Sequence, residues 1–201
     1  MSEHLHPEQE VAPQYGLQFP HWQQGEVMQF VTFRLADSIP QTKAWKWKDE
    51  RAIWLSLHPK PWTPAQEREY HKRFTKDFED WLDEGSGACI FNHPANRLHL
   101  EETLMHDQGK SAHHHAWVIM PNHVHLLFTP VAPLDQLMKS WKGISSRKIG
   151  VGSIWQGNYR DTTIRDGDHF INAVRYIRKN PVKLREGTFT LWQSERAREI
   201  Q

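Results

Sequence analysis

One cysteine, Cys89, stands among 201 residues, so an intramolecular disulfide is excluded and a reducing compartment is expected. No apolar run approaches the roughly 20 residues that a membrane span needs. The opening, MSEHLHPEQEVAPQYG, lacks a basic head followed by an apolar centre, so no secretory leader is expected and the reading is cytoplasmic. No Gly-rich phosphate loop of the Walker type occurs, which speaks against chemistry driven by nucleotide hydrolysis. No internal repeat is present. Net charge is only +1, too small for a protein that coats polyanions over its whole surface.

Charge is uneven, however. Residues 134–185 hold eleven Lys/Arg against four Asp and no Glu, whereas 64–84 hold seven acids against four bases. The basic half suggests a polyanion on one face, or simply a solvated basic surface. Ten tryptophans and fourteen histidines are both high counts. The length suits one domain with appendages. These are a loose arm over 1–25, a domain over 26–186 with a Trp-rich insert at 41–62, and a polar tail over 187–201.

The stretch from Trp117 to Pro130, WVIMPNHVHLLFTP, organises the reading. It is short and apolar and reads as buried strand, bent at Pro121-Asn122. Side chains alternate faces along a strand, so His123 and His125 point the same way. Two neutral imidazoles on a rigid strand suit a metal ion. They also suit a polar strand surface, and two ligands alone define no site.

In chain order, 27–35 (VMQFVTFRL) reads as the first core strand. Part of the insert reads as helix, around 48–57. Thr63-Pro64 opens a helix that runs to Gly85, with Tyr70, Phe74, Phe78 and Trp81 at helical spacing. Residues 94–105 read as another helix. His113-His114-His115 reads as a polar lead-in to a strand. The next helix buries Leu134, Leu137, Met138, Trp141 and Ile144. Residues 153–164 read as strand-like pieces broken at Gly157-Asn158. A final helix starts at Asp166-Gly167-Asp168, buries Phe170, Val174 and Ile177, and stops at Pro181.

That last helix supplies a partner for the histidines. Tyr176 and Asn180 are four residues apart and share a face, and His169 falls on the same line seven residues earlier. Two strand imidazoles plus an amide oxygen would give three mixed ligands with open positions, which suits Mg²⁺ or Mn²⁺ better than a closed zinc site. The competing reading packs Tyr176 and leaves Asn180 as a helix cap.

The segments AWVIMPNHVHLL (116–127), LMKSWKGISSRKI (137–149), IWQGNYRDTTIRDGDHF (154–170) and RYIRKNPVKL (175–184) together resemble the HUH single-tyrosine transposases. Within them they resemble the REP-associated tyrosine transposases; VTFRLADSIP (31–40) looks like that family's first strand. The resemblance leaves out the arm, the 41–62 insert and the tail. It implies an α+β fold, an antiparallel sheet of four or five strands flanked by helices, ferredoxin-like or RRM-like. It implies a bacterial, nucleoid-associated enzyme that cleaves single-stranded DNA near palindromic hairpins through a 5′-phosphotyrosine and then transfers the strand. By position, His123 and His125 match the HUH histidines, Tyr176 the nucleophile and Asn180 the metal-binding polar residue one turn later. His169 has no secure counterpart, though it is a candidate proton acceptor. Lys139, Lys142, Arg147, Lys148, Arg160, Arg165, Arg175, Arg178 and Lys179 are expected to track phosphates, and Tyr159 and some of the tryptophans to stack on unpaired bases or on a hairpin tip. Trp141 and Trp155 read as core. Relatives occur as monomers or as homodimers.

Three rivals remain in view. A histidine-triad hydrolase would need a third alternating histidine where Leu127 stands. A HUH replication initiator or relaxase shares the nicking step. A domesticated hairpin-binding module would keep the sheet and lose the cutting.

Overall fold

The computed structural model describes residues 25–201, together with the backbone of 12–15 and 20–23. The expected arm over 1–25 lies for the most part outside the described residues. Its described part is an antiparallel pair, β1 (Ala12–Tyr15) with β2 (Pro20–Gln23). Then follow β3 (Gln29–Arg34), α1 (Gln41–Leu57), α2 (Pro64–Tyr70), a π-helical stretch at 71–76, α3 (Asp77–Asp83) and α4 (Pro94–His106). The hairpin of β4 (Ala112–Ile119) and β5 (His123–Pro130) comes next. It is followed by α5 (Leu134–Ile149), β6 (Arg160–Thr163), α6 (Gly167–Lys179), β7 (Thr190–Gln193) and α7 (Glu195–Arg198).

Five strands form one antiparallel sheet in the order β6-β3-β5-β4-β7. Without β7 this is the β-α-β-β-α-β arrangement of ferredoxin-like folds. β5 lies in the middle and is covered on both faces, which is why its sequence is almost unbroken apolar residues. Val124, Leu126 and Phe128 point to a core shared with α4 and α5 (Leu100, Leu104, Leu137, Trp141). Leu127 points the other way, with Val118 and the α6 residues Phe170, Val174 and Ile177. His123 and His125 alternate with the first set, so they stand on the α6 face.

Several expectations change in detail. The helix expected from Thr63 to Gly85 does open with a reciprocal Thr63–Gln66 capping box, but it widens into one π-helical stretch before α3. A π turn adds a residue and rotates the chain beyond it, which re-aims α3. The insert is helical from Gln41, and α1 packs on α2 and α3 through Trp47, Trp54, Trp62, Tyr70, Phe74 and Phe78. On α5, Ser145 and not Ile144 completes the buried stripe; its hydroxyl accepts from Trp155 Nε1 at 2.9 Å. Trp141 and Trp155 are core, as expected. His113–His115 lie within β4, and His114 is buried against Phe128 and Trp141. The stretch read as a polar tail supplies β7, which extends the sheet beside β4, and Trp192 stacks on Trp117. Among the described residues, no helix is long and apolar enough to cross a membrane.

Candidate active site

The tight Pro121-Asn122 turn between β4 and β5 puts His123 first on its strand, with Met120 N donating to His123 O at 2.8 Å. Both histidines are buried. Across the β3–β5 register, Arg34 lies opposite His123 and Thr32 opposite His125. Burial drives the His123 imidazole down to about 3 and that of His125 well below its ordinary value, so both rings are neutral at neutral pH.

The hydrogen bonds fix which nitrogen of His123 carries the proton. Asn122 Nδ2 donates to Leu82 O at 3.2 Å and to Ser86 O at 3.1 Å, which leaves Oδ1 as the atom facing His123 Nδ1 at 2.8 Å. That oxygen can only accept, so Nδ1 holds the proton and Nε2 keeps its lone pair. His125 Nδ1 is held by Thr32 Oγ1 at 2.8 Å. The two Nε2 atoms face each other at 3.0 Å. Either His125 donates to His123 across that gap, or both lone pairs converge on a cation. Two metal–nitrogen bonds of about 2.1 Å at a right angle put their nitrogens about 3.0 Å apart, so the spacing suits both states. Orientation of a ligating imidazole through its other nitrogen is the usual support for such sites.

Asn122→Ala removes two backbone contacts to the end of α3 and strands a buried N–H of His123. A loss of about 1–3 kcal/mol in folding stability is expected. Urea unfolding measures it, and an unchanged midpoint would mean that the amide holds nothing.

α6 brings Tyr176 and Asn180 onto this face. The Tyr176 ring meets His125 edge-on at 5.1 Å and 81°, and Phe30 at 5.7 Å and 78°. Asn180 is the C-cap of the helix, and its side chain lies beside the Tyr176 hydroxyl. Its Oδ1 is buried and has no hydrogen-bond partner among the described residues. That orphaned oxygen could serve as a donor to a cation. Asp83 Oδ1 stands 3.8 Å from His123 Nε2; with the imidazole neutral this is not an ion pair, and the carboxylate is a fourth candidate. Among the described residues, no three His, Cys, Asp or Glu side chains enclose a metal by themselves.

The sequence reading missed that α3 faces the site. Glu79 and Asp83, one turn apart, both face the site. Glu79 lies beside the Tyr176 hydroxyl and 3.7 Å from Arg160. Burial raises the Glu79 carboxyl, while the Arg160 charge holds it back. Burial and the neighbouring Asp80 and Glu79 push the half-exposed Asp83 up to about 6. The Tyr176 phenol is pushed up by burial and then by the charge of Glu79. The hydroxyl thus lies between the Glu79 carboxyl and the Asn180 side chain. Acids at i and i+4 beside Phe74 and Phe78 are the available signal, but spacing alone does not separate them from a solvated face.

The expected cations divide. Arg160 is at the site. Lys139, Arg147 and Lys148 ride on α5, on the opposite face of the sheet, and Lys148 pairs with Glu102 at 2.9 Å. Lys142 is half-buried and donates to Gln156 O and Asn158 O, both at 2.9 Å, so it holds a loop. Arg175 donates to Gln201 O, and Arg178 to Ile200 O and Ala197 O, so both fasten the C-terminal segment. Arg165 and Lys179 are exposed at the two ends of α6. Tyr159 is buried at the edge of the α5-side core. His169 sits two helical turns from Tyr176, about 10 Å along the axis; its Nδ1 accepts from Arg165 N at 3.3 Å. It is not brought to the tyrosine.

No family model matches the chain. Over 71 residues the chain is 32% identical to the REP-associated tyrosine transposase of Escherichia coli (strain K12). The match takes in 34% of this chain and 43% of the relative, so the chain spans less than half the length of the curated relative it matches. A solved structure of a REP-associated tyrosine transposase bound to a REP hairpin aligns with 83% of this chain and 73% of that one, at a TM-score of 0.43 and 15% identity. The chain therefore resembles REP-associated tyrosine transposases in sequence over about a third of its length.

Proposed function

We propose that the chain nicks single-stranded DNA beside palindromic hairpins, becomes joined to the 5′ end through Tyr176, and passes that end to another strand. One observation carries this: the Tyr176 hydroxyl lies beside the Glu79 carboxyl and the Asn180 side chain, with its ring against His125. The 32% match to a tyrosine transposase over 71 residues supports the same reading.

His123 Nε2, His125 Nε2 and Asn180 Oδ1 would hold Mg²⁺ or Mn²⁺, with Asp83 in reach. When bound, such an ion offsets charge on the scissile phosphate and orients it for in-line attack. The chain supplies the rest. The Tyr176 oxygen attacks phosphorus; its bond to phosphorus forms as the bond from phosphorus to the 3′ oxygen breaks. The phenolic proton passes to Glu79, and the departing oxygen takes a proton from solvent to become a 3′ hydroxyl. The phosphodiester energy is kept in the tyrosine link, so a second 3′ hydroxyl can reverse the step without a nucleotide cofactor.

The test uses hairpins with single-stranded flanks, labelled at either end and incubated with the protein and Mg²⁺ or Mn²⁺. On a denaturing protein gel, label from the fragment 3′ to the cut is expected to stay on the protein, and to vanish with EDTA. Label from the other fragment is expected to run free. Retention of the opposite label would reverse the polarity. Tight hairpin binding with no adduct, across several hairpins and both metals, would replace this reading with a binding module.

A further inference from the structure

Beside the active site, between α1 and the end of the sheet where β6 begins, lies a cavity of about 270 Å³. It shares two residues with the site: Thr32, which holds His125, and Arg160, which pairs with Glu79. We propose that this cavity seats one unpaired nucleotide of the DNA strand, next to the phosphate that Tyr176 attacks. The proposal deepens the strand-cleaving reading and rests on it.

Charge favours an anion here. Arg34 lines the cavity, and its guanidinium is bonded to neutral oxygens, Ser38 Oγ at 3.0 Å and Leu35 O at 3.4 Å, while lying over the Phe78 ring. Among the described residues it has no carboxylate partner. Burial brings the Arg34 guanidinium down to about 10, and burial plus the Arg34 charge brings the nearby Lys142 down to about 8. Desolvated cations without acids are costly, and an anion entering the cavity relieves them. Arg34 stands opposite His123 on the neighbouring strand, so a phosphate held there is one step along the chain from the histidines.

The walls favour a base beside that anion. α1 presents Trp45, whose indole is 60% exposed, and Trp47, whose buried Nε1–H has no acceptor among the described residues. Exposed indoles beside cations are the usual platform for unpaired bases, since every base has a π face. The volume falls just under the about 300–1,000 Å³ of small-ligand sites, which admits one nucleotide and excludes a duplex. The element that builds this wall is the insert itself, which otherwise has only a packing role.

The test is a binding measurement in the full chain carrying Tyr176→Phe, so that no strand is cut. A fluorescent hairpin with single-stranded flanks is walked with one abasic nucleotide at a time, and Kd is read by anisotropy. One position is expected to weaken binding about tenfold when abasic. Trp45→Ala is expected to weaken the intact DNA about tenfold, and to add nothing once that position is abasic; Trp45→Phe is expected to restore most of the loss. Additive losses at every position overturn the proposal, as does no loss with Trp45→Ala. Mononucleotides binding as tightly as the strand, without positional coupling, overturn it in favour of a free-nucleotide pocket. The readout needs no cleavage. Coupling without any adduct in the unsubstituted chain would therefore sink the nuclease reading alone, and adducts without coupling would sink the pocket alone.

Discussion

Tyr176→Phe is expected to abolish the covalent protein–DNA adduct, and Glu79→Gln to slow its formation by about 10²–10⁴-fold. The first substitution removes the proposed nucleophilic oxygen and leaves the ring contacts to His125 and Phe30 in place. The second separates holding from proton transfer. A phenol is weakly acidic, with an ordinary pKa near 10, so about one in a thousand is ionised at pH 7. In this site burial and the Glu79 charge move it further up, which leaves fewer still. The reaction therefore needs somewhere for the proton to go as the oxygen attacks. The Glu79 carboxyl lies beside the hydroxyl, where it can take that proton. Glutamine keeps the shape and an accepting oxygen but cannot take the proton. Hairpin affinity and folding should be unaffected, because a neutral amide is easier to bury than the half-desolvated carboxylate it replaces. Single-turnover adduct formation measures both variants. A Glu79→Gln rate within threefold of the unsubstituted chain would deny Glu79 the proton and leave Tyr176 as nucleophile. An adduct with Tyr176→Phe would place the nucleophile elsewhere.

What could be read from the sequence divides along physical lines. The His123/His125 strand was legible because β5 is the central strand, so its apolar run and two-residue alternation are undiluted. The Tyr176/Asn180 pair was legible because a helix puts i and i+4 on one face whatever surrounds it. His169 shows the limit of the same rule. Seven residues keep the line but add two turns of rise, and the ring ends up at the other end of α6. Glu79 and Asp83 were not legible, because their approach to Tyr176 depends on how the α1–α3 unit folds over the sheet. The π-helical stretch that turns α3 leaves no local signature. The cations failed for a related reason. Composition counts Lys139, Arg147 and Lys148 with Arg160, but the sheet stands between them. β7 was missed because four residues of TLWQ are strand only through pairing with β4.

Acid is expected to unfold the chain steeply, beginning below pH 6.5. Among the described residues, three histidines are buried neutral: His123, brought to about 3, His114, brought to about 4, and His125, well below the ordinary value, each chiefly by burial. His114 is a core residue whose Nε2 bonds Leu104 O at 3.0 Å, far from any chemistry. Unfolded, each returns to about 6.5 and takes up a proton as pH falls. The folded state binds fewer protons in this window, so stability is complete above about pH 6.5 and is lost as pH drops toward the folded values. Each proton contributes about 1.4 kcal/mol per pH unit, so three give a slope approaching 4 kcal/mol per unit between pH 6 and 5. Two carboxyls oppose this. Asp83, at about 6, and Glu79, also raised, are protonated more readily folded than unfolded, which favours the folded state as pH falls. Asp83 is half-exposed, so its share is discounted. A net loss of about 2–3 kcal/mol per pH unit remains, against the 5–15 kcal/mol typical of a whole domain. Urea unfolding at pH 7, 6 and 5 reads it directly. His114→Gln removes one of the three protons and should flatten the slope by about 1.4 kcal/mol per unit without touching the active site. A stability that stays level from pH 7 to 5 would mean that the three rings are not buried neutral. His123 and His125 would then present no free lone pairs to a cation.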